Sequence, residues 1–401
     1  MKPLLINTEE IHHYHLGDQH PMGPDRVTLA LELSEYLGLS DAFRTLHPDP
    51  ADDPTLELVH SAEYLAATRS TTPQPEFGIG TDDNPLNPGL SEVAARICGG
   101  ALAATQEVWQ GRAPRAVNLA GGLHHAFPSY MSGFCMYNDA AIAIEWLLQF
   151  GGAQRVAYID LDAHHGDAVE KVFWDDPRVL TISVHESGLY LFPGTGFAHE
   201  IGGPDAVGTV VNLALPKECD DEEWLQGIHA LIPPLLKKFA PELIITQHGA
   251  DPHRHDPLAD LNISMEAIAR AYHSMATWAE EYADGKWVAL GGGGYRRDSV
   301  ARAWANVLAA VSHQEIDPHT PMPENWAHRV GSGGFGGSAL PSGSSHSSES
   351  IPPAAAFMGD LTKNTAADRF DPTQIHPTQP RSALIATSRS VFPYWGLQPY
   401  G

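Results

Sequence analysis

Val156 to Val169 reads V-A-Y-I-D-L-D-A-H-H-G-D-A-V, an apolar run that gives way to three carboxylates and two histidines around a single glycine. A strand covered on both faces of a parallel sheet reads as a continuous apolar run, and open α/β sheets place their ligands beyond the carboxyl ends of such strands. Asp160, Asp162 and His164 are spaced by two, so extended geometry carried to the end of the run would turn all three to one face. Carboxylate and imidazole donors without thiolate suit a divalent metal of the zinc or iron(II) kind. The same residues also suit a polar strand-to-helix turn, with Gly166 ending the strand and Asp167 capping the next helix. The motif alone leaves both readings open.

A rhythm of strand, polar turn and helix continues on either side. Downstream it predicts strands at Val179 to Val184 and Val210 to Leu215, then a helix from Asp221 to Phe239 with a kink at Pro233 and Pro234. A strand at Leu243 to Thr246 follows and ends in Q-H-G-A-D, with Asp251 last. Ser264 caps a helix to about Tyr282, and the strand Trp287 to Leu290 runs into G-G-G-G-Y-R-R-D and a helix through Trp304. Upstream, Lys2 to Asn7 reads as a strand, and a polar loop from His12 to Arg26 leads into a helix with Pro24 near its start. His12, His13 and His15 in that loop are read as surface histidines that bind nothing. Helices are expected over Leu58 to Ser70, over Leu90 to Gln110 and from near Asn138. A strand at Ala116 to Leu119 enters A-G-G-L-H-H-A-F-P. This alternation predicts a single-domain α/β fold, with a mostly parallel central sheet and helices on both faces.

The chain has 401 residues, of which 43% are hydrophobic, enough to bury a large core. Its 24 Lys+Arg against 49 Asp+Glu leave a net charge of −25, which repels phosphate backbones and anionic bilayers. Neither nucleic acid nor membrane is expected as a partner. Cys98, Cys135 and Cys219 show no paired spacing, and the amino terminus has too short an apolar run for a signal peptide, so a cytoplasmic protein is expected. Residues 1–330 form the expected catalytic domain and 331–350 a flexible Gly/Ser-rich segment. Residues 351–401 are an extension whose Phe392, Tyr394, Trp395 and Tyr400 would dock back or meet a partner.

The motifs G-G-L-H-H, S-G-F-C-M-Y-N-D, Y-I-D-L-D-A-H-H-G-D, F-P-G-T-G, H-G-A-D, D-P-L and L-G-G-G-G-Y occur in this order. From about His20 to Trp304 the chain resembles the arginase-deacetylase fold, specifically class I histone deacetylases and still more the bacterial acetoin-utilisation deacetylases. The resemblance implies metal ligands Asp162, His164 and Asp251, three protein donors that leave positions open for water and a substrate carbonyl. It implies that His124 and His125 are oriented by Asp160 and Asp167, with His125 as general base and acid and His124 as its electrostatic partner. Tyr295 would donate to the developing oxyanion. On its own, G-G-G-G-Y also suits a flexible turn or a phosphate cradle, but the Lys-Ser or Lys-Thr that a phosphate loop wants does not follow.

The same resemblance implies that Phe134 and Phe192 wall a narrow substrate tunnel, with Gly133 keeping it open. Asp82, or its neighbour Asp83, would hold the substrate backbone at the rim, and Arg26 would lie below the metal near the acetate pocket. A potassium ion would sit on Asp160, Ser183 and the carbonyls of Asp162 and His164. Leu258 stands where polyamine-selective relatives favour an acidic residue. His248 and the P-H-R-H loop, Pro252 to His255, depart from the usual pattern and could alter the rim or do nothing. His165 is read as structural. The expected activity is zinc- or iron(II)-dependent hydrolysis of acetyl-lysine in an acetylated protein, for instance an acetyl-CoA-forming synthetase. The alternatives are an acetylpolyamine or other small N-acyl amine hydrolase, and a non-catalytic acyl-lysine binding protein.

Overall fold

The stretch Val156–Asp160 forms strand β4, buried at every residue, and its alternation shows why. Val156 and Tyr158 enter one hydrophobic core, while Ala157 and Ile159 enter another on the opposite face of the sheet. A strand with helices over both faces has no solvent side, so no polar residue interrupts it. The same division recurs in β1 (Leu4–Ile6), β7 (Leu243–Gln247) and β8 (Trp287–Leu290).

The computed structural model describes residues 1–17, 20–331, 353–361, 370–371 and 381–401. With β2 (Arg44–Leu46), β3 (Arg115–Asn118), β5 (Val179–Glu186) and β6 (Val210–Leu215), the strands make one sheet in the order β2-β1-β3-β8-β7-β4-β5-β6. Every pairing is parallel. The chain passes from β3 to β4 and fills the gap between them later with β7 and β8. The four central strands therefore deliver their carboxyl ends to one crevice, where such sheets bind ligands.

Helices Leu90–Trp109 and Asp139–Trp146 cover one face; Arg26–Tyr36, Asp221–Phe239, Met265–Tyr282 and Arg297–Val311 cover the other. Asp221–Phe239 is one helix that contains both Pro233 and Pro234. The expected helix over Leu58 to Ser70 is present as the shorter Ala62–Thr68, and a separate short helix, Asp53–Leu56, precedes it. Ser61 caps Ala62–Thr68 by accepting from the Tyr64 amide, which fixes its later start. Strand β2 escaped the sequence reading because R-T-L is short, exposed and without alternation.

The aromatic carboxyl end docks back. Helix Ser382–Val391 lies against edge strand β6, where the Thr387 hydroxyl donates to the Asn212 carbonyl at 2.7 Å and Trp395 Nε1 to the Gly208 carbonyl at 2.7 Å. This covers a sheet edge that would otherwise offer backbone groups to another chain. Gly331 is described, whereas the rest of the Gly/Ser-rich segment, 332–350, lies outside the described residues. Among the described residues no helix is long and apolar enough to cross a membrane.

Candidate active site

Strand β4 ends at Asp160, so the expected shared strand face does not extend to Asp162 and His164. These lie in the turn that follows, and the turn sorts the polar side chains differently. Asp160 Oδ1 accepts from the Asp162 amide at 3.0 Å, which bends the chain and directs Asp162 toward the end of β7. There Asp162, His164 and Asp251 bring their donor atoms within 4.8 Å of one another, all three buried.

His164 Nδ1 lies 3.2 Å from Asp162 Oδ1 and 3.0 Å from Asp251 Oδ2. The outer oxygens are held by backbone: Gly293 N donates to Asp162 Oδ2 at 2.6 Å and Ala163 N to Asp251 Oδ1 at 2.9 Å. One oxygen of each carboxylate thus remains turned inward with the imidazole nitrogen. Burial and the charge of Asp162 push Asp251 up, as expected of two enclosed carboxylates with too little positive charge. The donor set, its inward aim and this charge deficit all fit a divalent cation.

The loop after β3 carries His124 and His125, with ring centroids 3.9 Å apart. His124 Nδ1 meets Asp160 Oδ2 at 2.8 Å, and His125 Nδ1 meets Asp167 Oδ1 at 2.8 Å. Asp167 is the first residue of helix Asp167–Phe173, and its carboxylate is turned to the imidazole. Each carboxylate fixes Nδ1 as the donor and leaves Nε2 free to face the metal cluster; His124 Nε2 is 4.0 Å from Asp162 Oδ1. Burial opposes charge on His124, but Asp160 and Asp162 outweigh it and raise the ring to about 9. Burial and the neighbouring His124 instead lower His125 to about 4. The two rings are therefore differentiated, His124 pushed toward the charged form and His125 toward the neutral one.

Tyr295 follows the four glycines after β8. Its ring stands edge-on to His164 at 6.3 Å and to Phe134 at 5.8 Å, and burial together with Asp251 and Asp162 keeps its hydroxyl protonated. Gly292 and Gly293 press against Asp162, leaving no room for a Cβ, which is what the glycine run provides. Phe192, 45% exposed, stands edge-on to His125 at 5.1 Å. Phe134 adopts a left-handed backbone at φ 69°, a conformation costly for an aromatic residue. It is held there by Asn84 Oδ1 on its amide at 2.9 Å and the Tyr14 hydroxyl on its carbonyl at 2.8 Å. A Cβ on Gly133 would run into the His125 ring.

Asp82 and Asp83 are exposed in the turn that Asn84 ties to Phe134. Arg26 is buried, donates to the Gly292 carbonyl, and lies over the rings of Trp304 at 4.8 Å and Tyr295 at 5.7 Å. It lines a small cavity of about 20 Å³ together with Gly292 and Trp304. Ser183 is the register partner of Asp160 on β5. Leu258 is half-buried in a turn closed by Asp256, whose Oδ2 also accepts the Tyr295 amide at 2.7 Å. His165 has both ring nitrogens engaged, with Thr195 Oγ1 and Glu170 Oε2, each at 2.9 Å. His248 and His253 are fully buried and so stand away from the rim, while His255 is exposed.

Sequence reasoning passed over three residues that shape this site. Asp139 accepts from the amides of Gly122 and Leu123 and sets the start of the His124-His125 loop. His60 joins the end of that loop to Asn138, and Asp256 holds Tyr295. Asp139 and Asp256 lie in motifs that were singled out, Y-N-D and D-P-L; a lone His60 gave no signal.

Comparison with known proteins agrees with this arrangement. The histone deacetylase domain matches residues 20–311. Acetoin utilization protein AcuC of Bacillus subtilis (strain 168) is 39% identical over 324 residues, covering 78% of this chain and 82% of that protein. AcuC of Staphylococcus xylosus is 33% identical over 329 residues, covering 80% and 85%. The crystal structure of an HDAC homolog from Aquifex aeolicus superposes with a TM-score of 0.75 at 31% identity, covering 84% of this chain and 90% of that one.

Proposed function

The chain belongs to the histone deacetylase family, and on that premise we propose that it hydrolyses the acetyl amide of acetyl-lysine in proteins and releases acetate. The observation that carries this reading is the convergence of the Asp162-His164-Asp251 cluster with the two histidine-carboxylate pairs.

Asp162, His164 and Asp251 would hold a divalent ion, zinc in our reading, which when bound polarises the acetyl carbonyl and acidifies water. The protein groups divide the remaining work. His125, neutral and backed by Asp167, takes the proton of the attacking water and delivers it to the leaving lysine amine. His124, backed by Asp160, supplies positive charge beside the tetrahedral centre. Tyr295 donates its hydroxyl to the developing oxyanion, and Asp256 keeps the Tyr295 backbone in place. Phe134 and Phe192 flank the apolar lysine stem, Asp82 meets the substrate backbone at the rim, and Arg26 lies below the reacting acetyl group. A potassium ion on Asp160, Ser183 and the carbonyls of Asp162 and His164 would be structural. Leu258 favours a protein lysine over a cationic acetylpolyamine, and an acetylated acetyl-CoA-forming synthetase is a fitting substrate.

The test is turnover of an acetyl-lysine peptide by zinc-loaded wild type and Tyr295→Phe, with acetylputrescine in parallel. Loss of one oxyanion donor lowers kcat by about 10²–10³. Equal rates in the two proteins would refute the role of Tyr295, and a strong preference for acetylputrescine would move the substrate to small amines.

A further inference from the structure

His253 follows Asp251 by two residues and is enclosed from both sides. Its Nδ1 meets the Ser299 hydroxyl at 2.9 Å, and its Nε2 faces the Asp360 carboxylate at 3.2 and 3.3 Å. Asp360 lies beyond the Gly/Ser-rich stretch and outside the residues 20–311 matched by the family. It also accepts from Arg302 Nη1 at 2.9 Å and from the Met265 amide at 3.1 Å. Arg302 is itself 1% exposed, so this carboxylate balances a buried cation.

The same short segment reaches the oxyanion loop. Arg296, next to Tyr295, donates to the Pro353 carbonyl at 3.0 Å, and Asp298 accepts the Ala355 amide at 3.1 Å. The Met358 carbonyl accepts from Arg302 at 3.3 Å. Residues 353–361 are therefore tied to the chain just after a candidate metal ligand and just after the candidate oxyanion donor.

We propose that residues 353–361 are a positioning segment of the active site, in which Asp360 sets the Asp251 loop through His253 and the Arg296 and Asp298 contacts set the Tyr295 loop. The inference rests on the reading that Asp162, His164 and Asp251 hold a metal. Groups hydrogen-bonded to metal ligands typically change affinity about 10–100-fold when removed; Asp360 acts at one remove, through His253, so its removal should cost less but still measurably.

The experiment uses the full-length chain and measures Zn²⁺ affinity by competition with a chromogenic chelator, beside kcat and KM on an acetyl-lysine peptide. Asp360→Asn is expected to weaken Zn²⁺ binding by a few-fold, up to about tenfold, and to lower kcat with KM within about twofold. Asp360→Glu recovers part of both. Ser299→Ala, which removes only the hydroxyl on the other side of His253, moves zinc affinity the same way by less and keeps the test open should Asp360→Asn fold poorly. Thr387→Val, in the helix docked on β6, is the control: it loosens a distant contact and keeps wild-type zinc affinity. Folded Asp360→Asn with unchanged zinc affinity overturns the proposal, as does an equal loss of affinity in Thr387→Val. Wild type that binds no zinc overturns the metal reading itself, and this inference with it.

Discussion

At the scale of single residues, the site depends on buried polar groups whose partners leave them one workable protonation state. His60 is 2% exposed, with Nδ1 3.1 Å from the Phe127 carbonyl and Nε2 3.0 Å from the Asn138 amide. The carbonyl requires Nδ1–H and the amide requires a bare Nε2, so the ring must be neutral. Burial lowers its pKa to about 4. A histidine with a depressed folded pKa contributes stability that is complete above the unfolded value near 6.5 and is lost as pH falls from there toward 4. The loss over that window is about 3 kcal/mol at most. Urea unfolding of wild type and His60→Gln between pH 7 and 4.5 should show the wild-type advantage shrinking as pH falls; parallel curves would remove His60 as the cause. Because His60 joins the end of the His124-His125 loop to the start of the next helix, activity should fail in acid before the whole fold does.

At the scale of elements, legibility followed burial. Strands β4, β7 and β8 could be read because both faces are covered and every residue is apolar until the carboxyl end, where polarity marks the crevice. Asn138 and Ser264 could be read as helix starts because each caps its helix with its own side chain. Strand β2 could not, since an edge strand of R-T-L buries too little to leave a pattern. The Asp162-His164-Asp251 cluster was legible only through resemblance to a family: Asp251 stands far from Asp162 in sequence, and nothing in local pattern says that β7 lies beside β4. The sequence left the carboxyl end to dock back or to meet a partner, because the choice depends on an exposed β6 edge that exists only once the sheet is assembled. That docking should be separable from catalysis. Thr387→Val removes a buried hydrogen bond to β6, worth about 1 kcal/mol, and should lower the thermal midpoint slightly while kcat and KM remain unchanged. A fall in kcat at a temperature where the variant is fully folded would show that the edge and the crevice are coupled.

At the scale of the whole molecule, the net charge of −25 joins the fold to its proposed substrate. Such a surface repels polyanions and draws in cations from beyond contact distance, at a rate that depends on ionic strength. The proposed tunnel between Phe134 and Phe192 would receive an uncharged acetylated side chain, so long-range attraction would act on the residues that flank the acetyl-lysine. Asp82 and Asp83, exposed at the turn beside Phe134, place negative charge where those flanks would pass. Peptides with basic flanks should accordingly show a higher kcat/KM than peptides with acidic flanks at low salt. The gap should close as salt shortens the screening length to about 3 Å near 1 M. Because attraction ends at encounter, the difference should lie in kcat/KM and leave kcat nearly equal for the two peptides. A preference for basic flanks that persists unchanged in high salt would instead mean direct contacts at the rim, and Asp82→Asn would then abolish it.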